Sequence, residues 1–471
     1  MKTTERRNEA LSETNMEARV PKRILNTLMN SVSAGVVPRS GAPYIAIGRA
    51  DEINALLSDV ETVGEGGGAI RFVIGKYGSG KSFLIQLIRG YALERGYLCA
   101  DADLAPERKL CGSNDSGRAT YRELIKNLSS KTMPDGGALP QIIARWFTSL
   151  QTELAASGMD VSSAAFSQEL DKRIYATIAE FESMVGGFDF ASVLSTYRRA
   201  CVSGDEEIKS ACLRWLRGEY TTRTAAKKVL NVSDIINDEN WYDYVKLLAM
   251  FAVKTGSKGL IVFIDECVNL YKITNRISRE SNYEKLLSMF NDAMQGRAPY
   301  LGMVFGGTPQ FLEDPRRGMF SYEALRSRLA DNRFSDSGFK NLIGPVIRLR
   351  RLSDDELYAL IARVTKLHAQ NYSWEPRITP EEMADFLRMC LSRAGADALI
   401  TPREIIRDYV SVLNILMQNE SATYAAVVGS GVVTLEHGDV AESGGEVRTE
   451  SARPAEESRP ASDFNPEDIE I

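Results

Sequence analysis

Apolar residues change their spacing several times along this chain, and the changes divide it into elements. Five short stretches are largely apolar without a helical period, which is typical of strands buried on both faces of a parallel sheet. Helical spacing fills stretches before and between them, most clearly at 50–63 and 82–95. Alternating strands and helices predict an α/β fold with a five-stranded parallel sheet. The predicted strands are residues 69–74, 97–103, 259–264, 300–306 and 345–349.

Two longer stretches carry helical patterns alone. Residues 121–254 lie between the second and third predicted strands and show no strand pattern. The second stretch follows Ser353 and predicts helices to about Gln418.

Composition and charge indicate a globular protein with an acidic end. The chain has 471 residues, of which 44% are hydrophobic and 25% charged, and its net charge of −6 argues against a basic nucleic-acid coat. Residues 431–471 hold eleven acidic and only three basic residues. We expect a disordered tail from about Gly429 in which Phe464, Ile469 and Ile471 anchor a partner, or alternatively a purely solubilising tail.

Cysteine and histidine usage excludes two kinds of site. The six cysteines form no C-x-x-C pair, and the two histidines, His368 and His437, are far apart, so neither a disulfide framework nor a zinc site is expected. The chain also lacks an apolar stretch of about 18 residues that would cross a membrane, and its charged N-terminus lacks the apolar run of a signal peptide. We therefore expect a cytoplasmic protein with no membrane partner.

A glycine-rich loop after the first predicted strand carries the strongest chemical signal. Residues 75–82 match the pattern G-x-x-x-x-G-K-[ST]. Glycines let backbone N–H groups surround phosphate oxygens, a lysine neutralises the β- and γ-phosphates, and a serine hydroxyl ligates Mg²⁺. The pattern predicts ATP and Mg²⁺ as ligands, Lys81 as a catalytic residue and Ser82 as a metal ligand. The predicted nucleotide-binding residues are Gly75, Lys76, Tyr77, Gly78, Ser79, Gly80, Lys81, Ser82 and Phe83.

Two acidic residues follow the third predicted strand. The apolar run 260–264 ends in Asp265 and Glu266, and the carboxyl ends of parallel strands face a bound nucleotide. Asp265 is therefore predicted to hold Mg²⁺, and Glu266 to orient and deprotonate the attacking water. A solvated strand end is the alternative when the acid pair is taken alone, but the glycine-rich loop favours catalysis.

Thr308 and Arg328 fit the same scheme, each with a plain structural alternative. Thr308 follows the fourth predicted strand, where it would contact the γ-phosphate or only cap a turn. Arg328 lies in a helix-like stretch and would stabilise transition-state charge in a neighbouring subunit, or belong to a basic surface. Arg326 and Arg333 are weaker choices for the same role.

Arg403 is a third residue of this kind. It follows Thr401, a plausible helix N-cap, and Pro402, which suits the first helical turn. Its guanidinium group would reach a γ-phosphate, or Arg403 would remain a surface arginine.

Together these residues resemble the AAA+ ATPase superfamily, and more closely its initiator-like branch related to origin-recognition proteins. AAA+ proteins carry six motifs in a fixed order, and all six are found here in that order. They are a Gly-Arg pair, Walker A, Walker B, sensor 1, an arginine finger and a Pro-Arg sensor 2, which correspond to 48–49, 75–82, 265–266, Thr308, Arg328 and 402–403. Over about 23–418 the chain is similar to the BREX-system ATP-binding proteins called BrxD. The stretches that carry this resemblance are 75–84, 100–108 and 401–409.

The resemblance implies a sheet of order 5-1-4-3-2 and four regions. These are an N-terminal extension (1–43), an AAA+ core with a helical insertion (44–352), a helical lid (353–428) and the acidic tail (429–471). Walker A and Walker B are about 180 residues apart, far more than a minimal AAA+ core needs, so the excess at about 113–253 is expected to be a helical insertion. We expect it to emerge from the sheet rather than to be buried in it.

The resemblance also implies an ATP-hydrolysing protein of a bacterial anti-phage defence system that works beside a helicase or another protein of the defence locus. Because an arginine finger acts across a subunit boundary, a homo-oligomer is expected.

The sequence leaves the link to DNA open. Arg223, Lys227 and Lys228 form a basic cluster in the insertion, which is either a solvated helix face or a contact for duplex or single-stranded DNA or for a partner. The functional alternatives are a DNA-directed motor or loader, an ATP-dependent assembly switch with slow turnover, and a nucleotide-binding scaffold. The complete catalytic set argues against the scaffold.

Overall fold

The computed structural model describes residues 20–330, 341–392 and 400–429, and one sheet organises it. All neighbouring strands are parallel, and their order is β2-β3-β4-β1-β5. This confirms the predicted five-stranded parallel sheet and its order, counted from the opposite edge. Each predicted strand agrees with the structure to within one residue at each end. The strands are β1 Ala69–Gly75, β2 Leu98–Asp103, β3 Leu260–Asp265, β4 Leu301–Gly307 and β5 Val346–Leu349.

The described residues also form eighteen α-helices, which belong to two compact units. The sheet unit comprises residues 49–351, and the helical unit comprises 20–48 together with 352–429. The helices are α1 Lys22–Ser33, α2 Ala50–Gly64, α3 Lys81–Glu94, α4 Ser116–Lys126, α5 Leu139–Ala156, α6 Ala164–Glu182, α7 Gly187–Ser203, α8 Glu206–Leu216, α9 Arg223–Leu230, α10 Trp241–Lys254, α11 Val268–Tyr271, α12 Arg276–Met294, α13 Pro309–Glu313, α14 Glu323–Leu329, α15 Asp354–Tyr372, α16 Pro380–Ser392, α17 Pro402–Gln418 and α18 Tyr424–Gly429.

The sheet is buried on both faces. Successive side chains of a strand point to opposite faces, and here each face is covered by its own apolar cluster. Phe72 of β1 belongs to one apolar cluster, where its ring stacks on Phe305 of β4 with 5.4 Å between centroids. Its neighbour Val73 belongs to a second cluster, which includes Leu56 of α2 and Leu84 of α3. This double burial explains why the strands appear in the sequence as apolar runs without alternation.

The insertion contributes seven helices, α4 to α10, between β2 and β3. Its first and last helices contact the sheet, α4 at β2 and α10 at β3, and one apolar cluster continues from the strands into the insertion. The ring of Phe251 in α10 makes edge contacts with Trp146 and Phe190 inside this cluster. The insertion thus lies outside the order of the five strands and packs on the sheet through α4 and α10.

The helical unit is built around α15 and α17, and α1 packs against both. Each of the two long helices begins with a capping box, in which the first residue and the fourth exchange side-chain and backbone hydrogen bonds. The pairs are Ser353 with Glu356 at α15, and Thr401 with Glu404 at α17. Reciprocal caps of this kind determine where a helix begins, and the first of them coincides with Ser353, after which the sequence predicted helices.

A buried histidine lies in the core of the helical unit. Trp374 Nε1 donates a hydrogen bond to Nδ1 of His368 (2.9 Å), and His368 Nε2 lies 3.0 Å from Asn414 Oδ1. Because the tryptophan N–H can only donate, the histidine proton belongs on Nε2, where the asparagine oxygen accepts it. Burial lowers the pKa of His368, and the hydrogen bond to Asn414 opposes that shift.

Some predictions fall on residues that the structure does not describe. The tail from residue 430, the weaker finger choice Arg333 and the N-terminal segment 1–19 lie outside the described residues. Within the described ranges, no helix combines the length and the apolar character needed to cross a membrane.

Candidate functional site

The glycine-rich loop connects β1 to α3, and its glycines permit a tight turn. Gly78 and Gly80 have φ angles of 78° and 86°, in the left-handed region that residues with a Cβ atom seldom adopt. Gly75 is required for a different reason, because a Cβ atom there would lie only 2.3 Å from Ser79 Oγ. The loop is therefore folded closely onto the carboxyl end of β1.

The loop and the first turn of α3 leave a group of backbone donors available. Within the described part of the chain, no oxygen accepts a hydrogen bond from the backbone N–H groups of Gly78, Gly80, Lys81 or Ser82. The amino end of a helix also carries a partial positive charge from the helix dipole. Free N–H groups at the start of a 14-residue helix form a site suited to phosphate oxygens.

Arg49 holds the loop through a buried guanidinium group. Its Nη2 donates hydrogen bonds to the backbone oxygens of Ser79 (3.0 Å) and Arg350. The side chain is only 6% exposed, and its Nη1 lies 4.0 Å from the carboxylate of Glu52. The sequence shows Arg49 as part of a Gly-Arg pair but not what it contacts, because its two acceptors lie 30 and 301 positions away.

Lys81 lies at the first position of α3 and is held by the loop that precedes it. Its Nζ donates hydrogen bonds to the backbone oxygens of Gly75 (3.1 Å) and Lys76 (3.3 Å). Burial lowers the pKa of the Lys81 ammonium group, whereas the nearby carboxylates of Asp265 and Glu266 raise it. The ammonium group is therefore close to both the free backbone donors and the acidic strand end.

Ser82 and Asp265 are in direct contact although 183 positions separate them. Ser82 Oγ donates a hydrogen bond to Asp265 Oδ2 (2.7 Å), and Asp265 Oδ1 accepts one from the backbone N–H of Glu266 (2.8 Å). Gly306 of β4 leaves room for this carboxylate, since a Cβ atom there would lie 2.2 Å from Asp265 Oδ1. Three elements, α3, β3 and β4, thus determine the position of the buried carboxylate.

Glu266 follows β3 in an uncommon backbone conformation, with a φ of 56°. For a residue with a side chain, a left-handed φ costs free energy and is found more often at functional sites than elsewhere. Burial and the charge of Asp265 raise the pKa of the Glu266 carboxyl group, while Lys81 and Lys272 lower it. The raised pKa brings this carboxylate closer to the range in which it can accept a proton from water.

A third acid, Asp103, lies at the same edge and was not singled out from the sequence. It ends β2 and pairs in register with Asp265 of β3. Loss of hydration and the charges of Asp265 and Glu266 raise the pKa of Asp103 to about 6. Its place at the carboxyl end of a strand was the available signal, but only the pairing of β2 with β3 shows which acid it adjoins.

The remaining predicted nucleotide-binding residues have varied surroundings. Lys76 and Tyr77 are exposed, and 74% of Tyr77 is accessible. Ser79 is buried, and among the described residues its Oγ has no hydrogen-bond partner. Phe83 is half-buried in the first turn of α3. The loop therefore presents its backbone and an aromatic ring outward, and keeps one serine inward.

Thr308 directly follows β4 and begins α13. Its Oγ1 accepts a hydrogen bond from the backbone N–H of Phe311 (3.4 Å), so the structural alternative of a capping residue is present. Because β4 lies between β3 and β1, Thr308 also belongs to the edge that carries Asp265 and the glycine-rich loop. The two roles are compatible, since a hydroxyl group can accept one hydrogen bond and donate another.

The two predicted arginines are exposed and take no part in this cluster of contacts. Arg328 donates a hydrogen bond to the backbone oxygen of Ala324 (2.6 Å), one turn earlier in α14. Arg403 lies at the second position of α17, in the helical unit. Among the described residues, neither guanidinium group has an acidic partner within 4.0 Å.

The oxygen ligands at this edge suit Mg²⁺ better than a transition metal. Among the described residues, no group of three or more His, Cys, Asp and Glu side chains converges on a possible metal position. Mg²⁺ needs no such group, because it is bound by one or two protein oxygens with waters and substrate phosphates. The contact between the Ser82 hydroxyl and the Asp265 carboxylate provides such a pair.

One protein-family model matches residues 20–431, and its description is BREX system ATP-binding protein BrxC/D. The match extends over both units and the whole insertion. A comparison with curated proteins found no match.

Proposed function

Because the chain belongs to the BrxC/BrxD family of BREX-system ATP-binding proteins, we propose that it hydrolyses Mg²⁺-ATP at the carboxyl edge of its sheet, as an AAA+ ATPase of the initiator-like branch. The observation that carries this proposal is the hydrogen bond between Ser82 and Asp265 (2.7 Å). A glycine-rich loop that matched the pattern by chance would have no reason to meet a strand-end carboxylate.

The glycine-rich loop binds the triphosphate of ATP. Backbone N–H groups of Gly78, Gly80, Lys81 and Ser82 donate to phosphate oxygens, and the dipole of α3 adds attraction. Lys81 leaves the loop carbonyls of Gly75 and Lys76 and contacts the β- and γ-phosphates. The exposed Tyr77 covers the outer side of the loop, where no packing restrains its ring.

Ser82 and Asp265 hold Mg²⁺, and Glu266 acts on water. The metal supplies positive charge that offsets the charge of the phosphates during transfer. Glu266 orients the attacking water and accepts its proton. Burial and the neighbouring Asp265 raise the pKa of Glu266, which increases its basicity. Thr308 donates a hydrogen bond from its hydroxyl group to the γ-phosphate while it continues to cap α13.

The two exposed arginines complete the site from outside this edge. Arg328 contacts the phosphates bound to a neighbouring copy, so the active protein is a homo-oligomer. In the described part of the chain, the Arg328 guanidinium group is hydrogen-bonded to one carbonyl of its own helix, which leaves its other N–H groups available for such a contact. Arg403 contacts the γ-phosphate from the first turn of α17, and the helical unit acts as a lid.

We place this ATPase in an anti-phage defence system, where it acts on or with DNA and a helicase or another protein of the same locus. The BREX description of the family supports the defence role. The exposed Lys227 and Lys228 of α9 support contact with a polyanion, although neighbouring Arg223 forms an ion pair with Asp234 (2.8 Å). The acidic tail serves as a contact for a partner protein.

Phosphate release from ATP tests the proposal. The wild-type protein should release phosphate with Mg²⁺ and lose this activity when a chelator removes the metal. Asp265→Asn should lower turnover at least about 100-fold while preserving the fold, because an asparagine can still accept from the Glu266 N–H and donate to Ser82. Asp171→Asn, an exposed acid on α6, is the matched control. Equal turnover in both variants would refute the proposed metal site.

A further inference from the structure

A cavity of about 550 Å³ lies in the sheet unit, apart from the glycine-rich loop and the acidic strand end. Its wall comes from the segment after β2, from α4, from the start of α5 and from the end of α8. A volume of this size is in the usual range for small organic ligands. Nothing in the ATPase chemistry proposed above uses it.

Among the described residues, every acidic residue of the cavity wall has a basic partner, but not every basic residue of the wall has an acidic one. Glu123 pairs with Lys126 (3.2 Å), and Glu107 pairs with Arg108 (3.5 Å). Glu219, the third acid of the wall, lies 3.8 Å from Arg214, which is outside the wall. All three acids therefore have a cationic partner.

Two arginines of the wall have no such partner. Within the described part of the chain, the guanidinium groups of Arg122 in α4 and of Arg217 after α8 form no hydrogen bond or ion pair. The chain next to Arg217 lies close to Arg122, since a Cβ atom built on Gly218 would lie 3.6 Å from Cγ of Arg122. Two uncompensated guanidinium groups that line one cavity create a local excess of positive charge.

Guanidinium groups have the geometry to bind phosphate with paired hydrogen bonds. The same wall also includes Ile125, Leu139 and Pro140, which offer apolar contact to the organic part of a ligand. We propose that this cavity binds a phosphorylated small molecule of nucleotide size, with Arg122 and Arg217 as its phosphate contacts. This second site goes beyond the proposed ATPase function.

The cavity wall is connected to the ATPase edge through the segment after β2. Arg108 Nε donates a hydrogen bond to the backbone oxygen of Asp103 (3.1 Å), and the backbone N–H of Leu104 donates to the backbone oxygen of Asp265 (3.0 Å). A ligand that draws Arg108 toward a phosphate would change this connection. We therefore expect occupancy of the cavity to alter ATP turnover, a consequence that rests on the proposed function.

Equilibrium dialysis of the full-length protein with radiolabelled inorganic pyrophosphate tests the binding itself. All proteins in this experiment also carry Lys81→Ala and no nucleotide is added, so that the glycine-rich loop does not take up the label and nothing competes with the label for the cavity. We expect about one pyrophosphate bound per chain, and at least about 10-fold weaker binding for Arg122→Gln/Arg217→Gln, because hydrogen bonds to charged groups are strong. Arg145→Gln, an exposed arginine on α5 outside the wall, should bind like the Lys81→Ala protein.

The single variants keep the test decisive if the double variant does not fold, since each should weaken binding severalfold. Displacement of the label by adenosine monophosphate supports a nucleotide as the natural ligand, and displacement by inorganic phosphate alone supports a simpler phosphate compound. The proposal is overturned if no pyrophosphate binds at 1 mM, if the arginine variants bind it like the Lys81→Ala protein, or if only a single-stranded oligonucleotide displaces it. None of these results depends on whether the protein hydrolyses ATP.

Discussion

Across the residues that the structure describes, the polar groups at the carboxyl edge of the sheet are held by contacts with one another, whereas Arg328 of α14 and Arg403 of α17 are not. At the edge, Ser82 and Asp265 are bonded to each other, and Glu266 bonds to Asp265 through its backbone. On the helices, Arg328 and Arg403 are exposed, and among the described residues the guanidinium group of Arg328 is hydrogen-bonded to its own helix alone. The first group is positioned by packing within the sheet unit, and the second is left available.

Under the proposed function, this difference separates two kinds of residue. Groups that act on a ligand within one unit are oriented before the ligand arrives, which lowers the cost of binding and catalysis. Groups that act across a unit or subunit boundary acquire their contacts only on assembly. The contacts of the first kind are therefore visible within a single chain, whereas the partners of the second kind must be identified by experiments that combine chains.

The largest effect is expected for Arg328→Ala. An arginine supplied to a neighbouring site contributes on the order of 10³-fold or more to phosphoryl transfer, so turnover should fall about 10³-fold. Mixing this variant with Lys81→Ala should restore part of the activity, because one chain supplies an intact loop and the other an intact arginine. Phosphate release by the mixture measures this.

Arg326→Ala is the matched control for Arg328. It removes an arginine of the same helix that lies 3.9 Å from Glu323, and it should leave turnover within about twofold of wild type. If the mixture stays inactive while the two chains demonstrably co-assemble, Arg328 does not act across a subunit boundary.

Glu266→Gln should reduce turnover at least about 100-fold and leave ATP affinity nearly unchanged. Glutamine keeps the shape and the backbone of the residue but cannot accept a proton, and loss of a positioned base costs about this much. Single-turnover hydrolysis of radiolabelled ATP separates binding from chemistry. If turnover stays close to wild type, another acid is the base. Asp103, which pairs in register with Asp265, is then the first candidate.

Arg403→Ala should have a smaller effect, about 10-fold on turnover. We expect no recovery when it is mixed with Lys81→Ala, since Arg403 is proposed to act within its own chain. Recovery of activity in that mixture would instead group Arg403 with Arg328 as a residue that acts between subunits.

Local patterns were sufficient for the strands and for the glycine-rich loop. The apolar runs of β1 and β3 are bounded by Gly75 and by Asp265, so both their extent and the chemistry at their ends were visible in the sequence. Thr401 as an N-cap and Pro402 in the first turn likewise predicted the start of α17, where the structure has it. Each of these features depends on residues only a few positions apart.

Contacts between distant residues were not accessible in this way. The bond from Arg49 to Ser79, the pairing of Asp103 with Asp265, and the packing of α4 and α10 on the sheet depend on tertiary structure. The order of the strands came from a family resemblance and not from the spacing of residues. The cavity lined by Arg122 and Arg217 gave no pattern in the sequence, because four separate segments form its wall.

The smallest effect concerns the helical unit and pH. Burial lowers the pKa of His368, so the unfolded chain binds a proton more readily, and stability should fall as pH drops below about 6.5. The loss is at most about 1.4 kcal/mol for each pH unit. Thermal unfolding at pH 7.5 and 5.0 should show a larger decrease for wild type than for His368→Gln. His437→Gln, in the tail, is the control, and parallel losses in all three proteins would refute this account.

ATP affinity of Lys81→Ala and Lys76→Ala tests the central claim most directly, because both lysines belong to one loop and differ in environment. Lys81 is half-buried and bonded to loop carbonyls, whereas Lys76 is exposed. Titration calorimetry with Mg²⁺-ATP should show at least about 100-fold weaker binding for Lys81→Ala, on the scale of lost hydrogen bonds to charged phosphates, and little change for Lys76→Ala. Wild-type affinity in Lys81→Ala would contradict the assignment of ATP to this edge of the sheet.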